Sequence, residues 1–192
     1  MRGGASIFDS MTCEDLIMAF FPCIYFCQAS QTAFTYTYNN YQKLSVREKT
    51  DKILERSRNR EYFYNLIIKL FCIVQERKMR MIVENPYSPL KHFLEYPQNF
   101  VMPPTMIDEN RTLRGDYFIK PTAYWFLGCK PTYGFTEQRD KERKTIKKTR
   151  GSDASGLCSE DRSMISPDYA RNFICDFILG KEQVGTQLSM FD

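Results

Sequence analysis

The chain has 192 residues but a single histidine, and its seven cysteines never fall into a Cys-x-x-Cys pair. Cys23-x-x-x-Cys27 stands without a second ligand pair, so no metal centre is expected. His92, following Lys91, lacks a second ligand or a base partner and reads as structural or solvated. Long hydrophobic runs are missing too: the longest, residues 16–26, is broken by Pro22 and is too short to cross a bilayer. The opening residues do not show the basic-then-apolar order of a leader. With cysteines odd in number and scattered, a reduced cytoplasmic protein without membrane attachment is the expectation. The net charge of +4 is mild, so average composition does not mark a nucleic-acid binder.

What is present points to a folded domain of ordinary size. Hydrophobic content of 43% and aromatic content of 15% are enough to build a core. The apolar run 16–21, stopped by Pro22, reads as a strand buried on both faces. Residues 28–50 are rich in Thr, Tyr, Asn and Gln and read as a long loop with helical pieces. From about Arg58 to Lys78, Phe63, Leu66, Ile67, Leu70, Ile73 and Val74 recur every three or four residues, which predicts an amphipathic helix. A second buried strand follows at 79–83, ended by Glu84-Asn85-Pro86. Strand, helix and strand in that order form a crossover unit of a parallel sheet. Further expectations are a short helix at 89–96 and strands at 100–102 and 122–127. A closing helix is expected after Pro167, with Gly180 as its stop. The fold class is α/β. The expected division is a main part over 1–137, a basic loop over 138–160, the closing helix of the same domain over 161–180, and a tail over 181–192.

Two strings carry chemistry. Phe21-Pro22-Cys23 and Glu84-Asn85-Pro86 each set a reactive side chain just past the carboxyl end of an expected strand, where ligands collect in open α/β sheets. A thiol and a carboxylic acid on one edge can activate a pyrimidine. Carbon 5 of cytosine becomes nucleophilic when a thiolate adds to carbon 6 and N3 is protonated, both acting on a base extruded from the helix. Pro22 would fix the loop presenting Cys23, and Asn85 could tie the two loops together. Taken singly, a buried cysteine is more often a small hydrophobe and a glutamate after a strand is more often solvated.

These strings, with their neighbours, resemble the cytosine-5 DNA methyltransferases, and among them the phage-type members that carry a Glu-Asn-Pro form. The resemblance runs from about Asp15 to Gly180. It includes Tyr96-Pro97-Gln98, the stretch Lys120-Pro121-Thr122-Ala123-Tyr124-Trp125-Phe126-Leu127-Gly128, and Arg162-Ser163 ahead of Pro167. It implies a partial Rossmann-like class I methyltransferase sheet with flanking helices. Cys23 would be the nucleophile and Glu84 the acid, with Pro22, Asn85, Pro86, Lys120, Thr122 and Arg162 supporting the site or facing DNA. Double-stranded DNA would be the substrate, S-adenosylmethionine the methyl donor, and restriction-modification in a bacterial or phage-infected cell the setting.

Part of that family's pattern is not found. The cofactor would sit on a glycine-rich turn after a strand upstream of Asp15, and Arg2-Gly3-Gly4-Ala5 does not supply it. The expectation is therefore a fragment or one part of a split enzyme, completed by a second chain carrying the cofactor half. A degenerate relative or a sequence starting internally stands beside it. Ile24 occupies the position after Pro-Cys where Gln or Thr is usual, and no Gln-x-Arg-x-Arg segment is found. The Asp/Asn/Ser-Pro-Pro-aromatic signature of amino-group methyltransferases does not occur either. The alternative is a non-catalytic relative that binds DNA or the sliding clamp.

Two further stretches bear on partners. Seven Lys or Arg against two acids lie between Gln138 and Arg150, where they could neutralise phosphates; an ordinary solvated loop has the same composition. Tyr133 and Phe135 stand just before it and could wedge into a base stack. At the end, Gln187-Leu188-Ser189-Met190-Phe191 resembles the short peptide by which bacterial DNA-processing proteins bind the sliding clamp. Leu188, Met190 and Phe191 would fill an apolar groove and Gln187 make a polar contact, on a tether of ~20 Å. The same residues could also form an amphipathic tail packing on its own domain.

Overall fold

The computed structural model describes residues 9–26, 32–87, 103–138 and 164–180. Contacts divide the chain into two compact units, one of Met1–Ile107 with Thr122–Lys130, the other of Asp108–Pro121 with Pro131–Asp192.

The first unit is α/β. Strand β1 (Leu16–Phe20), helix α1 (Val46–Glu76), β2 (Arg80–Pro86), β3 (Met106–Asp108) and β4 (Thr122–Leu127) follow in chain order. The sheet is mixed, in the order β1-β2-β4-β3. β1 and β2 run parallel, joined through α1, with Phe20 opposite Glu84. β4 runs antiparallel to β2, with Pro86 opposite Thr122 and Met81 opposite Leu127. The strand expected at 122–127 is present over those residues. β3 was not expected; it begins two residues after the Pro103-Pro104 pair.

The two outer expectations for β1 and α1 need correction. β1 is half-buried and Phe20 is exposed, because the strand stands at an end of the sheet and not in its middle. The enclosed strands are β2, whose residues 81–85 are all buried, and β4, buried throughout. α1 begins twelve residues before the predicted start. Ser45 accepts from the Glu48 amide while the Glu48 carboxylate accepts from the Ser45 amide, a complete capping box. Residues 46–57 add three turns that are mostly polar and so leave no apolar period to read. Farther along, the buried stripe is Ile67, Phe71 and Val74, while Leu66 of the predicted face is 37% exposed and turned outward.

α1 stops in an uncommon way. Lys78 is left-handed, with φ of 54°, the conformation usually given to glycine. Its amide donates to the Gln75 carbonyl and the Met79 amide to the Val74 carbonyl, the pairing of a Schellman stop. Met79 is then already in the core, where it joins Val74, Phe71 and Ile67 from the helix, Met81 and Val83 from β2, and Ala123, Trp125 and Leu127 from β4. At the far end of β4, Gly128 has φ of 66°, and a Cβ there would meet the Met79 carbonyl oxygen at 2.2 Å. Only glycine fits that approach.

The second unit is built around α2 (Pro167–Phe173), which continues as a π-helical turn over Ile174–Leu179. Ser166 caps it by accepting from the Tyr169 amide, Pro167 opens it, and Gly180 ends it in the left-handed region. The closing helix was therefore expected at the right residues, though its second half is more loosely wound. Among the described residues no helix is long and apolar enough to cross a membrane. The expectations at 89–96, 100–102 and 139–160, together with Arg162 and the tail residues Gln187, Leu188, Met190 and Phe191, lie outside the described residues.

Candidate functional site

The site grows from the carboxyl edge of the parallel pair. β1 ends at Phe20, and Pro22 (φ −59°, ψ 97°) turns the chain into a short 3₁₀ segment, Cys23–Tyr25. The Tyr25 amide donates to Pro22 O at 3.3 Å and the Phe26 amide to Cys23 O at 3.0 Å. Two rings then hold this turn to α1. Tyr25 stacks on Phe63, with centroids 5.3 Å apart, and Phe26 is buried in the core. Cys23 is thus presented, half-buried, by a turn fixed at its start by proline and at its end by Phe26.

β2 brings its own end to the same edge. The strands are parallel with Phe20 opposite Glu84. Glu84, Asn85 and Pro86 are the last residues of β2, and not the segment past its end that was expected, because β4 pairs with all three. Only Pro22-Cys23 leaves its strand, just beyond the Phe20–Glu84 pair. Side chains alternate along β2, so Met81 and Val83 pack with α1 while Glu84 takes the other face, opposite Tyr124 of β4. Glu84 is 7% exposed, a carboxylate nearly withdrawn from water. Asn85 returns to the α1 face and donates through Nδ2 to the Phe26 carbonyl at 3.3 Å and to Pro86 O at 3.2 Å. The end of β2 that carries Glu84 is therefore bonded to the turn carrying Cys23.

Antiparallel β4 starts where β2 ends, which sets Thr122 beside Pro86. Thr122 has no exposed surface, so it supports the edge from within and does not form its surface. The structure thus brings Pro22, Cys23, Glu84, Asn85, Pro86 and Thr122 to one edge of one sheet. Lys120, half-buried, lies two residues before Thr122 along the chain and belongs to the second unit. Arg162 lies outside the described residues. Among other cysteines, Cys129 is a poor competitor as a nucleophile. Burial pushes its thiol up from the ordinary 9.0, and the nearby Arg80 charge and a Met81 backbone hydrogen bond offset that only in part. No group of three metal-ligating side chains occurs among the described residues.

A second cluster escaped the sequence reading. In the second unit Arg111 has no exposure, pairs with Asp116 and lies 4.3 Å over the ring of Tyr169. Arg114 reaches Asp176 through Nε and Asp108 through a terminal nitrogen, each at 3.1 Å, with its plane 4.7 Å over Phe177. The Tyr169 hydroxyl donates to Asp108, and Thr136 donates to Asp176 through both its amide and its hydroxyl. The available signal was the alternation Asp108, Arg111, Arg114, Asp116, which has no apolar period and so resembles a solvated turn. No family model matches the chain, and neither a curated protein nor a solved structure is significantly similar to it.

Proposed function

We propose that the chain supplies the catalytic edge of a cytosine-5 DNA methyltransferase, with Cys23 as nucleophile and Glu84 as acid, on a partial class I, Rossmann-like sheet. The observation that supports this most is the parallel register of β1 and β2. It sets a Pro-Cys turn beside the Glu-Asn pair at the end of β2, and Asn85 bonds one to the other.

The chemistry follows from the two side chains. With a cytosine swung out of double-stranded DNA, the Cys23 thiolate bonds to carbon 6. The C5=C6 electron pair moves to C4–C5, and the C4=N3 pair moves onto N3, which takes the proton of Glu84. Glu84 is nearly withdrawn from water, which limits competition from solvent for the proton it must donate. The result is an enamine whose carbon 5 can attack an electrophile. Cys23 leaves by the reverse path once carbon 5 loses its original hydrogen.

S-adenosylmethionine is the methyl donor this reading requires, and the described residues do not fit it. Their glycines stand at 115, 128, 134 and 180, and none lies on a turn running from a strand into a helix. The donor site must come from other residues or from a second chain, and no step through it is drawn. The same misfit, with Ile24 after the Pro-Cys, favours the second reading: a non-catalytic relative that binds DNA or the sliding clamp.

Exchange of the carbon-5 hydrogen separates the two, since the enamine can take a proton from water without any methyl donor. Release of tritium from DNA carrying 5-tritiated cytosine is expected from the full chain, absent in Cys23→Ala, and lowered about a hundredfold in Glu84→Gln. Release that persists in Cys23→Ala, or none from folded, DNA-bound protein, would reject the catalytic reading.

A further inference from the structure

Residues 131–138 carry an arrangement that the chemistry at Cys23 does not use. Alternate amides along this segment are tied down within the second unit. Thr132 N–H donates to Phe177 O at 2.9 Å, Gly134 N–H to Asp176 O at 2.8 Å, Thr136 N–H to an Asp176 carboxylate oxygen at 3.0 Å, and Gln138 N–H to Leu113 O at 2.9 Å. The Thr132 and Thr136 hydroxyls donate inward as well, to Asp176 O and its carboxylate. At Gly134 the packing is so close that a Cβ would lie 3.0 Å from the Asp176 Cα. The even positions face the protein, so the odd ones face out. Tyr133 is 77% exposed and Phe135 66%, although the segment is pinned at four points.

Two large rings are thus presented to water two residues apart on an anchored backbone, with the Tyr133 ring T-shaped against Phe177, centroids 6.5 Å apart. In an extended chain, residues two apart are about 6.6 Å apart on one face. Nucleobases in a strand are spaced about 3.4 Å, so a gap of twice that spacing admits one flat ring with a contact on each side. Beyond Gln138 the sequence continues with seven Lys or Arg against two acids up to Arg150, a charge suited to a polyanion. Glu137, the next outward residue, is the one acid on this face of the segment.

We propose that Tyr133 and Phe135 form an aromatic clamp that takes one unpaired base of a single-stranded nucleic acid. The two rings supply stacking, which tolerates any base. The clamp is separate from the chemistry at Cys23. It needs only binding, so its failure and the failure of the catalytic reading are distinguishable.

The test is fluorescence anisotropy of the full chain with a labelled 12-nucleotide single strand, an abasic strand of the same length, and a duplex. The clamp predicts tighter binding to the base-bearing single strand than to the abasic one. It also predicts about a tenfold loss in each of Tyr133→Ala and Phe135→Ala, and retention in Tyr133→Trp. Circular dichroism melting checks that the variants stay folded, which the outward position of both rings favours. Equal affinity for abasic and base-bearing strands, or unchanged binding in the double alanine variant, would overturn it. So would a loss of self-association in that variant without loss of nucleic-acid binding, because the rings would then be covering protein.

Discussion

The sheet unit closes around Trp125, Met81, Val83 and Ile67, while the second unit closes around Arg111, Asp116, Asp176 and Asn172, and every one of these is at most 3% exposed. One interior is held by contacts that have no direction. The other surrounds the buried rings of Tyr169, Phe173 and Phe177 with ion pairs and hydrogen bonds, each of which needs its partner at the right angle. An apolar interior can be repacked within its volume at small cost, but a buried charge that loses its partner has nothing to replace it. The two units should therefore differ less in how stable they are than in how they fail.

Asp176 gives the largest expected effect. It receives Arg114 and both donors of Thr136, so Asp176→Ala should cost about 3–5 kcal/mol in urea unfolding. Asp176→Asn, nearly the same shape, should cost almost as much, because Arg114 keeps only Asp108 as a counter-charge and one of the two oxygens serving Arg114 and Thr136 becomes a donor. Hydrogen exchange should locate the damage, with the Gly134 and Thr136 amides speeding up more than those of β2. Similar small losses for both variants would erase the distinction between the two interiors. In the sheet unit the shape-conserving change should behave in the opposite way. Met81→Leu should cost less than about 1.5 kcal/mol, against roughly 2–5 for Met81→Ala. A Leu variant as damaged as the Ala variant would mean that this interior is directional too.

The capping box at Ser45 and Glu48 belongs to neither interior and should matter least. Ser45→Ala should lower stability by about 1 kcal/mol. Hydrogen bonds from the Ser45 hydroxyl, then from its backbone amide, hold the Glu48 carboxyl below its ordinary 4.5, with Lys52 adding to the effect. A carboxyl whose value is lowered on folding stabilises the fold above its unfolded value and loses that contribution as pH falls through the lowered one. The start of α1 should accordingly fray on acidification below about pH 4.5, and Ser45→Ala should remove most of that pH dependence in helical circular dichroism. An unchanged acid profile would show that the box does not govern the helix start.

The same contrast explains what could be read from the sequence. β2, β4 and the buried part of α1 were legible because a short apolar run, or apolar side chains at a period near 3.6, leaves a pattern. β1 was found, but its burial was overestimated: an apolar run says that a strand is sticky and not whether it has neighbours on both sides. The first three turns of α1 were missed because helices that face water show no apolar period, although Ser45-x-x-Glu48 was available as a start signal. At the site, Pro22-Cys23 and Glu84-Asn85 could be matched in advance because a parallel β-α-β unit leaves little choice of where its loops emerge. The Arg111 and Arg114 cluster could not be. Its partners Asp108, Asp116, Tyr169 and Asp176 come from distant segments, and a charged residue in sequence carries no mark of burial.

The left-handed lysine at the end of α1 also acts on the edge that carries Glu84, as the zero mark of a ruler. Met79 closes the helix with its amide and enters the sheet interior with its side chain, so the chain has no slack between the last turn of α1 and β2. From there the count is binary: 79, 81 and 83 face the helix, and 84 must face away. One residue added or removed between Lys78 and Glu84 would exchange the faces, turning a carboxylate into the apolar layer and a hydrophobic side chain toward the edge. This stretch can change its letters and not its length.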